Sequence, residues 1–476
     1  MALETPSFAQ MSLSTRTMGW ADLFAEGRGA RLALICLGVW LNAADSLVTS
    51  TIMPTVGRDL GGYAYFSWAT AAYMVGAILS GATAARLSAQ FGLRRAMVAA
   101  GLVTAIGCAI SALAPDMIVL VAGRWVQGAG SGWIVGACYA AIGAMFPQRH
   151  LARTFGAMTS VWGVATVLGP LVGGAFAEGA HWRELFWAFA AQCGLFMAAA
   201  VWLLPADAPP ASPRTPWTQL ALVLFGVGLI GAADLTTSVA WAAALCLGSI
   251  AVFIAAVRIR AGEGALFPAA AGDPRSVIGA AYLSYFALTA AAMCFSVYAP
   301  ALLQTLYGFS PLVAGYAAGL EALGWTVAAL AVAGLGERWH GPIIRLGAIC
   351  IVASLAALTL VMRAGPLWAI LVAATVMGSG FGLSSGFTGR RVIAAGADET
   401  ERELASAGIN SVRQVGNAAG ACLAGIVANL LGLAAGMGLP AAQACAVWLF
   451  ALSVPVALLG AVGAWRVAGA PTTQTS

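Results

Sequence analysis

Apolar runs, each near the twenty residues a helix needs to cross about 30 Å of hydrocarbon, recur along almost the whole chain. They fall at 32–55, 66–86, 95–115, 117–144, 154–178 and 185–204, then at 218–236 and 239–257. Six more lie at 276–300, 312–334, 343–362, 366–389, 405–431 and 442–465. Between the sixth and seventh runs stand Pro205, Pro209, Pro210, Pro213 and Pro216, a density that regular helix does not tolerate. The pattern predicts an all-α polytopic membrane protein of fourteen spans, arranged as six, two and six. The corresponding segments are a tail (1–31), a six-helix bundle (32–204), a Pro-rich linker (205–217) and two added spans (218–258). A loop (259–275), a second six-helix bundle (276–465) and a short tail (466–476) complete the chain.

Composition removes the soluble alternative. Hydrophobic residues make up 61% of 476 and charged residues only 9%, against about 25% charged in soluble domains. Even a large soluble domain lacks the interior to hide that much apolar surface, so lipid is the solvent. The 58 glycines suit helices packed backbone to backbone in a bilayer. The first thirty or so residues are polar and mixed, and the first apolar run reads as an uncleaved insertion signal. Nine cysteines sit singly in apolar stretches without metal spacing, so no metal or other cofactor is expected.

All 23 basic residues are Arg, and their placement orients the chain. Arg124 and Arg413 fall within spans, and Arg58, Arg183 and Arg363 on the side opposite the N-terminus; the remaining eighteen share the N-terminal side. Both termini are therefore expected inside. The basic residues form no continuous face for nucleic acid. Rich Ala, Gly and Arg usage without Lys points to a bacterium with a GC-rich genome, hence to a bacterial cytoplasmic (inner) membrane.

After the second span the chain reads Arg86-Leu-Ser-Ala-Gln-Phe-Gly92-Leu-Arg94-Arg95, a short glycine turn flanked by cations. With Gly92, Arg94 and Arg95 on matching positions, it resembles the loop signature of the major facilitator superfamily, although Ala89 stands where that family usually has Asp. Asp45 to Pro54, Ser67-Trp68 with Tyr73, and Arg124-Trp-Val-Gln127-Gly128-Ala-Gly130 are similar to motifs of its fourteen-span drug:proton antiporter branch. So are Gly163 to Gly174 (with Gly169, Pro170 and Gly173), Gly308 to Gly315, and Asn410 to Gly416 with Arg413 and Gln414. The resemblance covers residues 32 to 465 and implies two bundles rocking about a central site. It implies small-molecule export against protons by a monomer, with Gly92, Arg94 and Arg95 at a cytoplasmic gate.

Physical readings stand beside it. Pro170 removes a helix hydrogen bond and the nearby glycines thin the helix, which serves either plain packing or a pivot. The Gly378-Ser-Gly380-Phe-Gly382 run lies inside an apolar span and reads as helix packing, not a nucleotide loop.

A charge at the bilayer centre costs about 2.5–3.5 kcal/mol on insertion scales and marks a functional candidate. Asp45 lies midway between Arg31 and Arg58, and Glu321 lies roughly 16 Å beyond Ser310. Asp45 is read as proton-carrying, switched by movement of Arg124, with a permanent Asp45–Arg124 pair as the alternative. Glu321 is read as a second proton site or an attractor for cations, or else as a locally neutralised packing residue. Arg413, some eight residues into its span, is a structural anchor or a substrate contact. Asp234, near the end of span seven, is expected to be an exposed interfacial acid. The histidines His150, His181 and His340 are expected in loops. Trp68, Tyr73, Trp125, Trp162, Tyr298 and Trp325, with Gln127, Asn410 and Arg413, are candidates for a substrate cavity, or are lipid-facing aromatics. A metabolite symporter or facilitator on the same fold is the alternative function. A membrane-embedded enzyme is remote, since His is scarce and scattered.

Overall fold

The computed structural model describes residues 27–147, 150–179, 181–205, 217–236, 238–259 and 267–470. Most of the expected N-terminal tail, most of the Pro-rich linker, and Arg16, Arg149, Arg214 and Arg260 lie outside the described residues, as do the side chains of Arg86 and Ala89.

Fourteen long helices stand among the described residues: α1 (Arg28–Leu60), α2 (Trp68–Phe91), α3 (Leu93–Ala112), α4 (Met117–Met145), α5 (Leu151–Glu178), α6 (Trp182–Leu203), α7 (Trp217–Asp234), α8 (Val239–Arg258), α9 (Val277–Tyr307), α10 (Pro311–Val332), α11 (His340–Val361), α12 (Leu367–Ala394), α13 (Glu399–Leu430) and α14 (Leu439–Gly469). Eleven are long and apolar enough to cross a bilayer on length and composition alone. The other three, α2, α4 and α13, are set among them by packing: α2 crosses α4, and α13 lies on α9 and α2. Helix starts are signalled locally. The side chains of Asp116, Ser276, Ser310 and Asp398 accept hydrogen bonds from the first-turn N–H groups of α4, α9, α10 and α13. Pro311 then occupies the first turn of α10, where its missing N–H costs nothing. The turn from α2 to α3 is a single Gly92 at φ 84°, a backbone conformation that side chains disfavour.

Successive helices run antiparallel, as cross-links between distant loops show. Asp59, at the end of α1, accepts from Arg183 at the start of α6, which also reaches the carbonyl of Ala114 before α4. Asn429 in α13 donates to the carbonyl of Ala64 before α2, and the Tyr307 hydroxyl bonds carbonyls in the turn from α11 to α12. All these loops share one end, called distal here. At the opposite, proximal end Arg391 bonds the carbonyls of Val467 and Ala470, and Arg466 that of Pro274. The described chain begins and ends there. Arg58, Arg183 and Arg363 fall at the distal end and the other described loop arginines at the proximal end.

Helices α9–α14 repeat the packing of α1–α6. Contacts of α2 with α4, α3 with α4 and α6, and α1 with α5 and α6 recur eight helices later in every case. Glycines allow the tightest crossings. A Cβ at Gly128 would overlap the carbonyl oxygen of Tyr73, and one at Gly378 that of Glu321. Gly380 and Gly382 meet backbone in the same way, consistent with helix packing along that run. The pair α7–α8 packs on itself and, through α7, on α13 and α2. Large apolar side chains such as Trp202, Leu247 and Leu360 stay exposed on the helical flanks, the surface that a bilayer covers.

Candidate functional site

The seam between the two groups of six helices is closed at one end only. On α5, Gly169 and Gly173 lie against Leu47 and Thr51 of α1, while Pro170 and Gly174 lie against Gly315 and Leu312 of α10. Thr166 still approaches Gly319. One turn further toward the proximal end the same helical face carries Trp162 and Gly163. Trp162 is 41% exposed there, and a Cβ at Gly163 would meet nothing. On α10, Leu323, one turn past Gly319, is likewise exposed. The halves meet distally and part proximally.

Beside this seam, α1, α2 and α4 assemble a buried polar cluster. Asp45 and Arg124 are 1% and 2% exposed. Arg124 Nη1 donates to Asp45 Oδ1 at 2.8 Å and lies 2.9 Å from Oδ2. Gln127, one turn along α4, accepts from Arg124 at 2.9 Å and donates to Asp45 at 2.7 Å. Arg124 Nε reaches the Ala69 carbonyl, and its guanidinium lies 4.3 Å from the centre of the Tyr73 ring. The Tyr73 hydroxyl donates to Ser131 and accepts from Asn42. Both carboxylate oxygens are thus engaged by strong donors, which is what keeps a charge pair tolerable in a low-dielectric interior.

The second acid is held differently. Glu321 on α10 is only partly buried, and the hydroxyl of Ser296 on α9 donates to it at 3.1 Å. Trp325, one turn on, stacks on Phe381 at 5.1 Å between ring centres. The Arg413 guanidinium lies over the Trp325 ring at 4.9 Å, not against a carboxylate. Arg413 also stands within electrostatic range of Tyr285 and of Tyr139, which is exposed on α4. Glu321, Trp325 and Arg413 therefore form one constellation, and Asn410, a turn before Arg413, is exposed.

Other residues singled out above are placed otherwise. Trp68 packs against Gly231 of α7. Tyr298 is buried and stacks on Phe66 at 5.4 Å, and Trp125 is 44% exposed on a flank of α4. Arg413 lies near the middle of α13, because Asp398 starts that helix earlier than its apolar run suggests. His340 opens α11 and is buried against Phe387, and His150 caps α5 and is buried; only His181 keeps the exposed loop setting, paired with Glu184. Asp234 is the largest correction. It is 1% exposed, because Ser67 and Asn429 supply the hydrogen bonds that an interfacial acid would take from water. Asn42, Ser131 and Ser296 were not singled out; small polar residues within apolar runs were their only signal. Gly92, Arg94 and Arg95 form the turn from α2 and the first turn of α3 at the proximal end.

Comparison with known proteins places this architecture. The profile of the Major Facilitator Superfamily matches residues 35–382. A protein of Mycobacterium tuberculosis named "Probable multidrug-efflux transporter" is 30% identical over 445 residues, covering 87% of this chain and 91% of the relative. Multidrug resistance protein 3 of Bacillus subtilis is 29% identical over 153 residues, 32% of this chain and 30% of that protein. Among solved structures, a bacterial homologue of the human lysosomal transporter Spinster, in an inward-facing and unoccupied conformation, superimposes with a TM-score of 0.66 at 14% identity, covering 93% of this chain and 97% of that one. A D-xylose–proton symporter gives 0.63 at 17% identity over 90% of this chain and 96% of that one. These likenesses in fold, together with the family profile and the full-length relative, identify the chain as an integral membrane transporter belonging to the major facilitator superfamily.

Proposed function

We propose that this transporter exports amphiphilic or lipophilic small molecules in exchange for protons, by alternating access and as a monomer in a bacterial cytoplasmic membrane. The proximal end faces the cytoplasm in this reading, as the arginine distribution favours. The bundles 32–204 and 276–465 rock about the seam, while the linker 205–217, spans 218–258 and loop 259–275 connect them. Gly92, Arg94 and Arg95 belong to the cytoplasmic gate.

The carrying observation is Glu321, a half-buried carboxylate two residues beyond the Gly319 contact on α10, with a neutral hydroxyl partner and an aromatic–cation pair beside it. Trp325 offers an apolar face, Glu321 a negative charge, and Trp162 and Asn410 further contacts. A lipophilic cation and a proton then compete for one carboxylate, and that competition couples their movements. Asp45 is held by Arg124, and it takes part in coupling only if rocking parts the pair. Gly163, Gly169, Pro170, Gly173 and Gly174 make the α5 face on which α1 and α10 close and open. Each proton entering down the potential supplies about 2.3 kcal/mol per 100 mV, plus the pH difference. The full-length relative's multidrug-efflux name supports efflux over uptake.

The test uses purified protein in liposomes with a trapped pH dye and an imposed gradient of a lipophilic cation such as tetraphenylphosphonium. Proton movement opposite to the cation, lost in Glu321→Gln, is expected. Movement in the same direction, or none that depends on Glu321, would replace this reading with a symporter or facilitator.

A further inference from the structure

The pair α7–α8 stands outside the twofold repeat of six helices, and nothing in the exchange cycle above uses it. At the distal end, however, its last buried side chain enters the contact between the halves. Asp234 ends α7. Its Oδ2 accepts from the hydroxyl of Ser67, the residue just before α2, at 2.5 Å. The Asn429 Nδ2 on α13 lies 3.0 Å from both Asp234 Oδ1 and the Asp234 carbonyl, and 2.9 Å from the carbonyl of Ala64. Gly425, one turn earlier on α13, clears the space, since a Cβ there would press on both carboxylate oxygens and on Ser67 Oγ. Gly231, one turn back on α7, receives the Trp68 ring. Two consecutive turns of α7 thus bind residues from both halves at the end where those halves are closed.

We propose that Asp234 is the latch by which the added helix pair holds the distal gate shut, joining Ser67 of the first half to Asn429 of the second. Separating α2 from α13 distally must break at least one side of this bridge. The broken groups then need water, which only the open gate supplies. A buried bridge of this kind is costly to leave half made, so it favours two discrete states rather than a range of partial openings. The pair α7–α8 accordingly acts as a strap across the gate, and Asp234 as a positioning residue, whatever ion or solute drives transport.

The test is hydrogen–deuterium exchange by mass spectrometry on the full chain in lipid nanodiscs, comparing wild type, Asp234→Ala and Asp234→Asn. In Asp234→Ala, exchange in segments 61–70 and 425–438 is expected to rise at least about tenfold, as loss of a buried hydrogen-bonded bridge implies. Exchange around 156–163, on the proximal stretch of α5, should fall, because opening distally closes the other end. Asp234→Asn keeps the size and the acceptor for Asn429, and its amide N–H can donate to the Ser67 hydroxyl where the carboxylate accepted, so exchange should stay near wild type. General loosening would raise exchange at both ends, and a local role would change only 217–234; either result overturns the latch, as does no change. Should Asp234→Ala fail to assemble, Ser67→Ala and Asn429→Ala each remove one side of the bridge and must show the same opposite-signed pattern, at a few-fold size, or the proposal falls.

Discussion

Two carboxylates lie within the membrane-spanning part of this transporter beside the seam between its halves, and they are held in opposite ways. Asp45 is enclosed by Arg124 and Gln127, with Tyr73, Asn42 and Ser131 extending the network behind them. Glu321 has the hydroxyl of Ser296, and the nearby cation, Arg413, is turned onto an indole ring. The repeat of helix packing makes this asymmetry informative. Tyr73 and Glu321 sit at corresponding crossings, against Gly128 and Gly378, so one half carries a phenol where the other carries an acid. A fully satisfied charge pair stabilises a bundle only while both partners remain, whereas a loosely held carboxylate is available to a ligand or a proton. The first half encloses its carboxylate in a charge-paired network, and the second leaves its carboxylate with a single neutral partner.

The comparison can be broken first at the crossings themselves. Gly128→Ala and Gly378→Ala each push a methyl into a carbonyl oxygen, so both should lose about 3 kcal/mol or more, read as failure to give a monodisperse peak after mild heating. If only one is damaged, the two halves are not built alike. Next, Arg124→Leu strands a buried carboxylate and should cost about 3–5 kcal/mol of stability, with partial recovery when Asp45→Asn is added. The measurement is detergent or thermal unfolding of the single and double variants. By contrast, Glu321→Gln keeps the size and the bond to Ser296. Its stability should stay within about 1 kcal/mol of wild type while proton-coupled transport is lost. A large stability loss in Glu321→Gln would make the two acids alike. The smallest effect belongs to Asp59 and Arg183, a 2.6 Å pair with both side chains nearly half exposed. Asp59→Asn should change stability by about 1 kcal/mol or less, and the change should shrink further in high salt.

Much of this was legible before any coordinates. The fourteen long helices follow from hydrophobic period and length, because a bilayer imposes length and polarity so strictly, and eleven of them qualify as spans on length and composition alone. The pairing of Asp45 with Arg124 was weighed as one of two readings, since both lie deep in apolar runs and a lone charge there is costly. Asp234 shows the limit. Its place at the end of an apolar run suggested an interface, and only the folding of α2, α7 and α13 onto one point surrounds it. Its partners, Ser67 and Asn429, lie 167 and 195 residues away. The contact of Trp68 with Gly231 is hidden for the same reason: sequence gives an aromatic's depth in the membrane but not which neighbour its face meets.

The most direct test of the division between the two acids is proton release on binding. Purified protein in weakly buffered solution with a pH dye receives tetraphenylphosphonium, and the pH change is compared among wild type, Glu321→Gln and Asp45→Asn. Binding should release protons in wild type and in any folded Asp45→Asn, and none in Glu321→Gln, because the cation displaces a proton only from the carboxylate it approaches. Release that survives Glu321→Gln but vanishes in Asp45→Asn would reverse the assignment and place the exchangeable proton in the first half.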